Sequence, residues 1–234
     1  MKFLIQTINN EIIHDFSREL IESIKFNNWF YNTLEYEYKT TSKALKPDID
    51  TCPCGSVEFV LECLKLRDID IKPMNVPESL FKYAGRKIKN GTFNDINDFD
   101  FIKSNEKIKG ICGFIDSISL NDLRKNQFVQ LSEEIEILSE YRCFVFQNEL
   151  VGIKHYTGDF KIFPNIKTIE NMIKDFTDSP ISYTIDVGIK DNGETIVIEC
   201  HDFFSCGLYG FNDYKLLPLM FYRWYKEKIN EKIA

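Results

Sequence analysis

Residues 183–202, YTIDVGIKDNGETIVIECHD, constrain the fold more than any other stretch of the chain. Two runs of alternating apolar and polar residues flank Asn192-Gly193. That dipeptide is the strongest short-range hairpin signal, because a type I′ turn needs positive φ at both central positions. A two-residue loop fixes the register: Asp191 faces Glu194, Asp186 faces Glu199, and Thr184 faces His201. Ile185, Val187 and Ile189 then share a buried face with Ile196, Ile198 and Cys200. Opposed Cβ atoms lie ~4.5–5.5 Å apart, and like charges directly opposite destabilise a sheet, so the acid pair calls for an offset. A shared proton, a neighbouring Lys or Arg, or a divalent cation would supply one; two solvated acids on an exposed face would need none. Oxygen ligands favour magnesium or manganese over zinc, and His201 and Asp202 extend the cluster.

The rest of the chain reads as α/β. KFLIQT at 2–7 is a buried first strand, 11–26 carries a helical apolar stripe, and 34–40 alternates like a strand. CPCGSVEFV reads as a turn and then a helix from about Ser56, whose side chain can cap it. IDIKPMNVP, ending at Pro77, has the composition of a further strand. From about residue 81 the texture changes. FDFIKS and QFVQLS are strand-like, with a short helix expected near 119–125 between them. EYRCFVFQNELVGIKHY is a hairpin turning at Gln147-Asn148-Glu149, NIKTIENMIKDFT is a helix, and an amphipathic helix from about Pro218 closes the chain.

The 234 residues suffice for one large domain or two small lobes. A net charge of −7 argues against a general nucleic-acid binder but leaves room for a small anion in a local basic pocket. The seven cysteines contain no C-x-x-C pair; Cys52-Pro53-Cys54 is the tightest spacing, so structural-zinc spacing is absent and a reducing cytosol is expected. MKFLIQTINNEII lacks the pattern of a signal peptide, and no stretch approaches the ~18 apolar residues of a membrane span. The expectation is a cytoplasmic protein with no membrane or nucleic-acid partner.

Two families place acids as this hairpin does. An acid on one strand followed by Glu-x-Lys on the next is the pattern of restriction-endonuclease-like, metal-dependent nucleases; here His201 stands in the lysine position. More of the chain resembles the ATP-grasp superfamily, in particular its small stand-alone domains of bacteria and phages. The resemblance is carried, in order, by CPCGSVEFV (52–60), FDFIKS (99–104), VQLSEEIEILSEYRCFV (129–145), VGIKHYTGD (151–159), YTIDVGI (183–189) and IECHDFFSCGLYG (198–210).

That resemblance implies two α/β lobes clamping ATP, preceded by a small N-terminal α/β lobe. Residues 1–80 would bind the variable substrate, 81–131 would form the first half of the clamp, and 132–234 the second half with the metal site. It implies a ligase that activates a carboxylate as an acyl phosphate and joins it to an amine, using ATP and Mg2+, with Mn2+ as an alternative. Substrates would be a small-molecule or peptide carboxylate and an amine acceptor. By the same resemblance Lys103 and Arg142 carry catalysis and phosphate binding, and Lys87, or its neighbours Arg86 and Lys89, supplies a second phosphate contact. Backbone groups of Gln130 and Leu131 would meet the adenine edge, and Glu133 or Glu134 the ribose. Asp186, Glu199 and His201 would hold the metal. His201 departs from the family's usual Asn, which leaves a nucleotide-binding pseudoenzyme as an alternative, as well as substitution by Asp202.

Overall fold

The computed structural model describes residues 1–118 and 126–233; the helix expected near 119–125 lies outside them. Three sheets make the frame. In the first, β1 (Lys2–Gln6) runs parallel to both β2 (Glu37–Thr41) and β3 (Thr51–Cys54), with β1 central. Helix α1 (Asp15–Phe30) links β1 to β2, and α2 (Val57–Lys65) follows β3. Thr51-Cys52-Pro53-Cys54, expected as a turn, is this edge strand; Pro53 is tolerated because an edge strand can forgo one ladder N–H. Ser56 caps α2 as expected, its Oγ accepting from the Phe59 N–H at 3.2 Å.

The second sheet has the order β4 (Ile88–Thr92), β7 (Phe128–Ser132), β5 (Phe101–Ser104), β6 (Cys112–Phe114), all antiparallel. The third has the order β11 (Thr195–Asp202), β10 (Ser182–Ile189), β8 (Ser139–Phe146), β9 (Glu149–Gly158), with helix α3 (Ile166–Asp175) packed on one face. The closing helix α4 (Leu217–Ile233) packs Phe221, Trp224 and Tyr225 into the same core as Phe3, Leu20 and Leu64 of the first sheet's layer. Trp224 also donates from Nε1 to Asp202 Oδ1 at 2.7 Å.

The segment after α2 is not the strand that IDIKPMNVP suggested. It makes a single bridge, Asn75 to Cys200, and Asn75 has a positive φ of 49° in the left-handed region that ends any extended run. Its backbone serves as a seam between two sheets. The Cys200 N–H donates to the Asn75 carbonyl at 2.7 Å, and the side chain of Gln130 on β7 bonds both the N–H (3.0 Å) and the carbonyl (2.8 Å) of Val76.

The β10–β11 hairpin differs from the expected one in its turn and in half its register. Only Gly193 of the Asn192-Gly193 pair has positive φ, the Lys190 N–H donates to the Glu194 carbonyl, and Ile189 pairs with Thr195. Asp191 and Glu194 therefore do not face each other as a strand pair. A bulge between Asp186 and Val187 restores the expected register beyond it, so Asp186 does face Glu199 and Thr184 does face His201. The bulge moves Val197, in place of Ile198, onto the core face with Ile185, Val187 and Cys200. The type I′ geometry occurs instead at Gln147 (φ 52°) and Asn148 (φ 62°), the two-residue turn of the β8–β9 hairpin.

Candidate active site

One row of side chains crosses the third sheet from edge to edge. Glu199 pairs with Asp186, Asp186 with Arg142, and Arg142 with Lys154, so the row reads acid, acid, base, base over β11, β10, β8 and β9. Alternation along β8 sends Tyr141, Cys143 and Val145 to the α3 core, which leaves Arg142 on the row's face. Its guanidinium forks onto Asp186, with Nε to Oδ1 at 2.8 Å and Nη2 to Oδ2 at 2.7 Å, while Nη1 donates to the Gly207 carbonyl at 3.2 Å. Asp186 is 1% exposed and Arg142 8%, so this is a desolvated charge pair. Burial would raise the Asp186 carboxyl, but the bonds from Arg142 and the nearby His201 imidazole hold it below the usual range.

Lys103 reaches the row from the second sheet, its ammonium bonded to Glu199 Oε2. His201 Nε2 lies 2.9 Å from Glu199 Oε1 and 3.6 Å from Asp186 Oδ2, off the line of a proper hydrogen bond to either. Burial works against the imidazolium, but the two carboxylates outweigh it and push its pKa up to about 9. Burial likewise opposes the Glu199 carboxylate, and His201 and Lys103 hold it well below the ordinary carboxylate range.

One ligand atom from each of Asp186, Glu199 and His201 falls within 4.8 Å of the others, the convergence a single cation needs. The set fits a divalent ion: two carboxylates supply hard oxygens, each oxygen has a second lone pair beside its present partner, and His201 Nε2, once an incoming cation displaces its proton, is a borderline donor that manganese accepts more readily than magnesium. Asp202 is outside the set. It points to the opposite side of β11, where it meets Trp224 and, at 3.8 Å, Lys228 Nζ, so it does not substitute for His201.

Two cavities flank this cluster. The smaller, about 280 Å³, lies between the second and third sheets; Phe101, Phe114, Ile137 and Ile198 give it apolar walls, and Glu133, Glu134, Glu140 and Arg86 polar ones. The larger, about 400 Å³, is lined by Arg142, Glu199 and His201, by 107–112, by the start of α2 and by the loop 204–207. Lys103 lines both.

The other expected residues are distributed unevenly around these cavities. Glu133 lines the smaller one, but Lys87 is exposed and pairs with Glu133 at 3.2 Å. Arg86 lines the cavity instead, following Gly85 (φ 62°) and anchored on the carbonyls of Ala84 (3.0 Å), Val197 (3.0 Å) and Ile198 (3.3 Å). Gln130 and Leu131 sit on central strand β7, where sheet partners on both sides occupy their backbone groups. Glu134, Ile135 and Ile137, which line the cavity beyond the end of β7, are not in any strand.

Tyr156 and the loop 205–210, which the sequence offers as a substrate-side strand residue and a loop flanking the acceptor site, meet beside Arg142. Tyr156 donates to Glu140 Oε2 at 2.5 Å, its ring stacks on Tyr209 with centroids 5.0 Å apart, and the Arg142 guanidinium lies 5.1 Å from the Tyr209 ring. Tyr209 belongs to a loop with left-handed backbone at Ser205 (φ 49°), Tyr209 (φ 49°) and Gly210 (φ 84°). The loop is tied to the first layer by Ser205 Oγ donating to the Gly55 carbonyl at 2.6 Å and the Leu208 N–H to Asp15 at 3.1 Å. What the sequence did not relate is Tyr156 to Tyr209 and Glu140.

Two antiparallel four-stranded sheets facing each other across a cation-and-acid cluster, with a third layer in front, form the ATP-grasp architecture. Residues 83–219 match the family model described as ATP-grasp domain, R2K clade family 2. The chain belongs to that family. A D-alanine–D-alanine ligase from Bacillus anthracis, solved with ATP, superposes over 100% of both chains with a TM-score of 0.54 at 13% identity. An N5-carboxyaminoimidazole synthetase from Staphylococcus aureus (TM-score 0.52, 11% identity, 95% of this chain and 77% of that one) has the same fold. So does an L-amino acid ligase from Bacillus licheniformis (TM-score 0.51, 10% identity, 94% and 74%). No curated protein matches the chain. Among the described residues, no helix is long and apolar enough to cross a membrane.

Proposed function

We propose that the protein is an ATP-dependent ligase that activates a carboxylate as an acyl phosphate and joins it to an amine. The observation that carries this reading is the position of the Asp186–Glu199–His201 convergence, bordered by Lys103 and Arg142 and set between two cavities. The smaller cavity suits a nucleoside, with apolar walls for a base and carboxylates for ribose hydroxyls. The larger one suits the acid and the amine. The division into a first lobe over 1–80 and clamp halves over 81–131 and 132–234 belongs to the same proposal, as does a cytoplasmic location.

Asp186, Glu199 and His201 would hold divalent ions, whose chemistry there would be to offset the negative charge of a transferring phosphoryl group. This chain's own residues do the rest. Lys103, shared by both cavities, meets a phosphate oxygen as a point charge. Arg142, its plane fixed by the fork onto Asp186, is oriented before any substrate arrives and steadies the transferring group or the substrate carboxylate. Glu133 or Glu140 accepts from ribose, and Arg86 or Lys87 adds a contact toward the phosphates.

Isothermal titration with Mg-ATP and with Mn-ATP tests the reading. Uptake by the wild type that disappears in Glu199→Ala and Lys103→Ala supports it; no uptake with either metal ends it. His201 gives specific support to a second reading, a nucleotide-binding module without turnover, because an imidazole stands at a metal position. ADP release with a panel of amino acids and dipeptides separates the two. The nuclease reading of the hairpin has no support in the family match.

A further inference from the structure

Tyr209 sits where a tyrosine is costly. Its φ of 49° is in the left-handed region, where a bulky side chain is strained and glycine is not. The chain has glycine at 207 and 210, on either side of it. Burial returns little of that cost, because Tyr209 is 46% exposed. What the ring does gain is contact with the Tyr156 ring, with centroids 5.0 Å apart and planes inclined by 21°, and with the Arg142 guanidinium, 5.1 Å from its centroid. Gly207 leaves it room: a Cβ there would come within 3.3 Å of the Tyr209 ring.

Tyr156 is held in turn. Tyr141 pairs with His155 and Glu140 with Thr157, which leaves Tyr156 as the extra residue of a bulge in β9. Its hydroxyl donates at 2.5 Å to Oε2 of Glu140, a wall of the smaller cavity, and its ring lies 6.0 Å from the guanidinium. The fork onto Asp186 fixes the plane of Arg142, but Asp186 is also one of the three residues that converge on the candidate cation position. A carboxylate shared with a cation makes a weaker fork. The face of an aromatic ring attracts a guanidinium without drawing on that carboxylate, so the two tyrosines give Arg142 a second, independent grip.

We propose that Tyr209 is a positioning residue for Arg142: its ring holds the guanidinium toward the transferring phosphoryl group while the Asp186 carboxylate is shared, and Tyr156, anchored on Glu140, braces the ring. The loop 205–210, fastened to the first layer at Gly55 and Asp15, thereby sets the place of the guanidinium. The inference deepens the ligase reading and rests on it for what Arg142 grips; that Tyr209 holds Arg142 is testable without it.

The test compares Tyr209→Phe, Tyr209→Leu and Tyr209→Gly with wild type, each as the full chain. Calorimetry gives the dissociation constants of Mg-ATP and Mg-ADP, which differ by the phosphoryl group that Arg142 would meet. An isotope-labelled NMR spectrum gives the Arg142 Nε–H resonance, which nearby aromatic rings shift. Tyr209→Leu and Tyr209→Gly should weaken Mg-ATP binding about fivefold, the size of one half-exposed cation–π contact, leave Mg-ADP binding unchanged, and displace the Arg142 resonance. Tyr209→Phe, which keeps the ring, should hold both readouts at wild-type values. Tyr209→Gly relieves the left-handed backbone, so urea melts should show it at least as stable as Tyr209→Leu, which separates lost positioning from lost fold. An equal fall for both nucleotides, Mg-ATP affinity that survives loss of the ring, or an unmoved Arg142 resonance overturns the inference. If the wild type takes up neither nucleotide, the ligase reading fails, and the resonance alone decides whether Tyr209 holds the guanidinium.

Discussion

At the scale of single residues, the fork from Arg142 to Asp186 is the most consequential contact. Both groups are buried, so removing one leaves the other as an uncompensated charge in low dielectric. Arg142→Ala is expected to cost about 3–5 kcal/mol, read by urea denaturation, and Arg142→Ala combined with Asp186→Asn to cost markedly less. Asp202 is a second case, 9% exposed and answered by the Trp224 indole N–H. Trp224→Phe keeps the ring and removes the donor, with an expected loss of about 1–3 kcal/mol; additive costs for Trp224→Phe and Asp202→Asn, without coupling, would contradict it. Residues of this kind were half legible. The alternation of β8 and β10 pointed Arg142 and Asp186 to one face, but no local pattern relates Tyr156, Tyr209 and Glu140, which meet only through a loop and two strands.

At the scale of elements, turn and cap chemistry explain both what the sequence indicated and what it concealed. Asn192-Gly193 drew attention as the tight turn, yet the loop there is longer and the tight turn falls on Gln147-Asn148. Pairing of β8 and β9 and burial of β10 on both sides decide these registers, overriding the preference of a dipeptide. The facing of Asp186 and Glu199 held because the bulge compensates for the longer loop. Gln147 at φ 52° suffers a side chain's penalty in the left-handed region, so Gln147→Asn should raise stability by about 0.5 kcal/mol in urea. The short 3-10 helix Phe93–Asp98 begins with a capping box in which Asp95 accepts from the Thr92 N–H at 2.9 Å. Lys89 foremost, then Thr92, hold the Asp95 carboxyl down to about 2. Because the folded pKa is depressed, its stabilisation is complete above the unfolded value near 3.9 and fades as pH falls through 2. An Asp95→Asn variant should show a shallower loss of stability than wild type between pH 4 and 2.

At the scale of the whole molecule, three layers were readable as α/β texture, while their seams were not. The parallel strand β3 was hidden by Pro53, and the helix α4, which follows the third sheet in sequence, packs into the first layer's core. Such long-range docking leaves no periodic trace of its partner. Mg-nucleotide should raise the melting temperature of the wild type and leave that of Glu199→Ala unmoved, because only a ligand that prefers the folded clamp shifts the transition.

The short stretch Asn75–Val76 sets a limit on how this molecule can be cut. The family match starts at residue 83, yet the backbone that Gln130 and Cys200 grip lies upstream of it. A fragment trimmed to the matched boundary would keep both four-stranded sheets and lose the thread sewing them together. The buried side-chain oxygen of Gln130 would lose the Val76 N–H, and the two sheets would be held by fewer contacts. Trimming at residue 70 instead of 83 should preserve amide protection at Cys200 in hydrogen exchange, if Asn75 is what shields it.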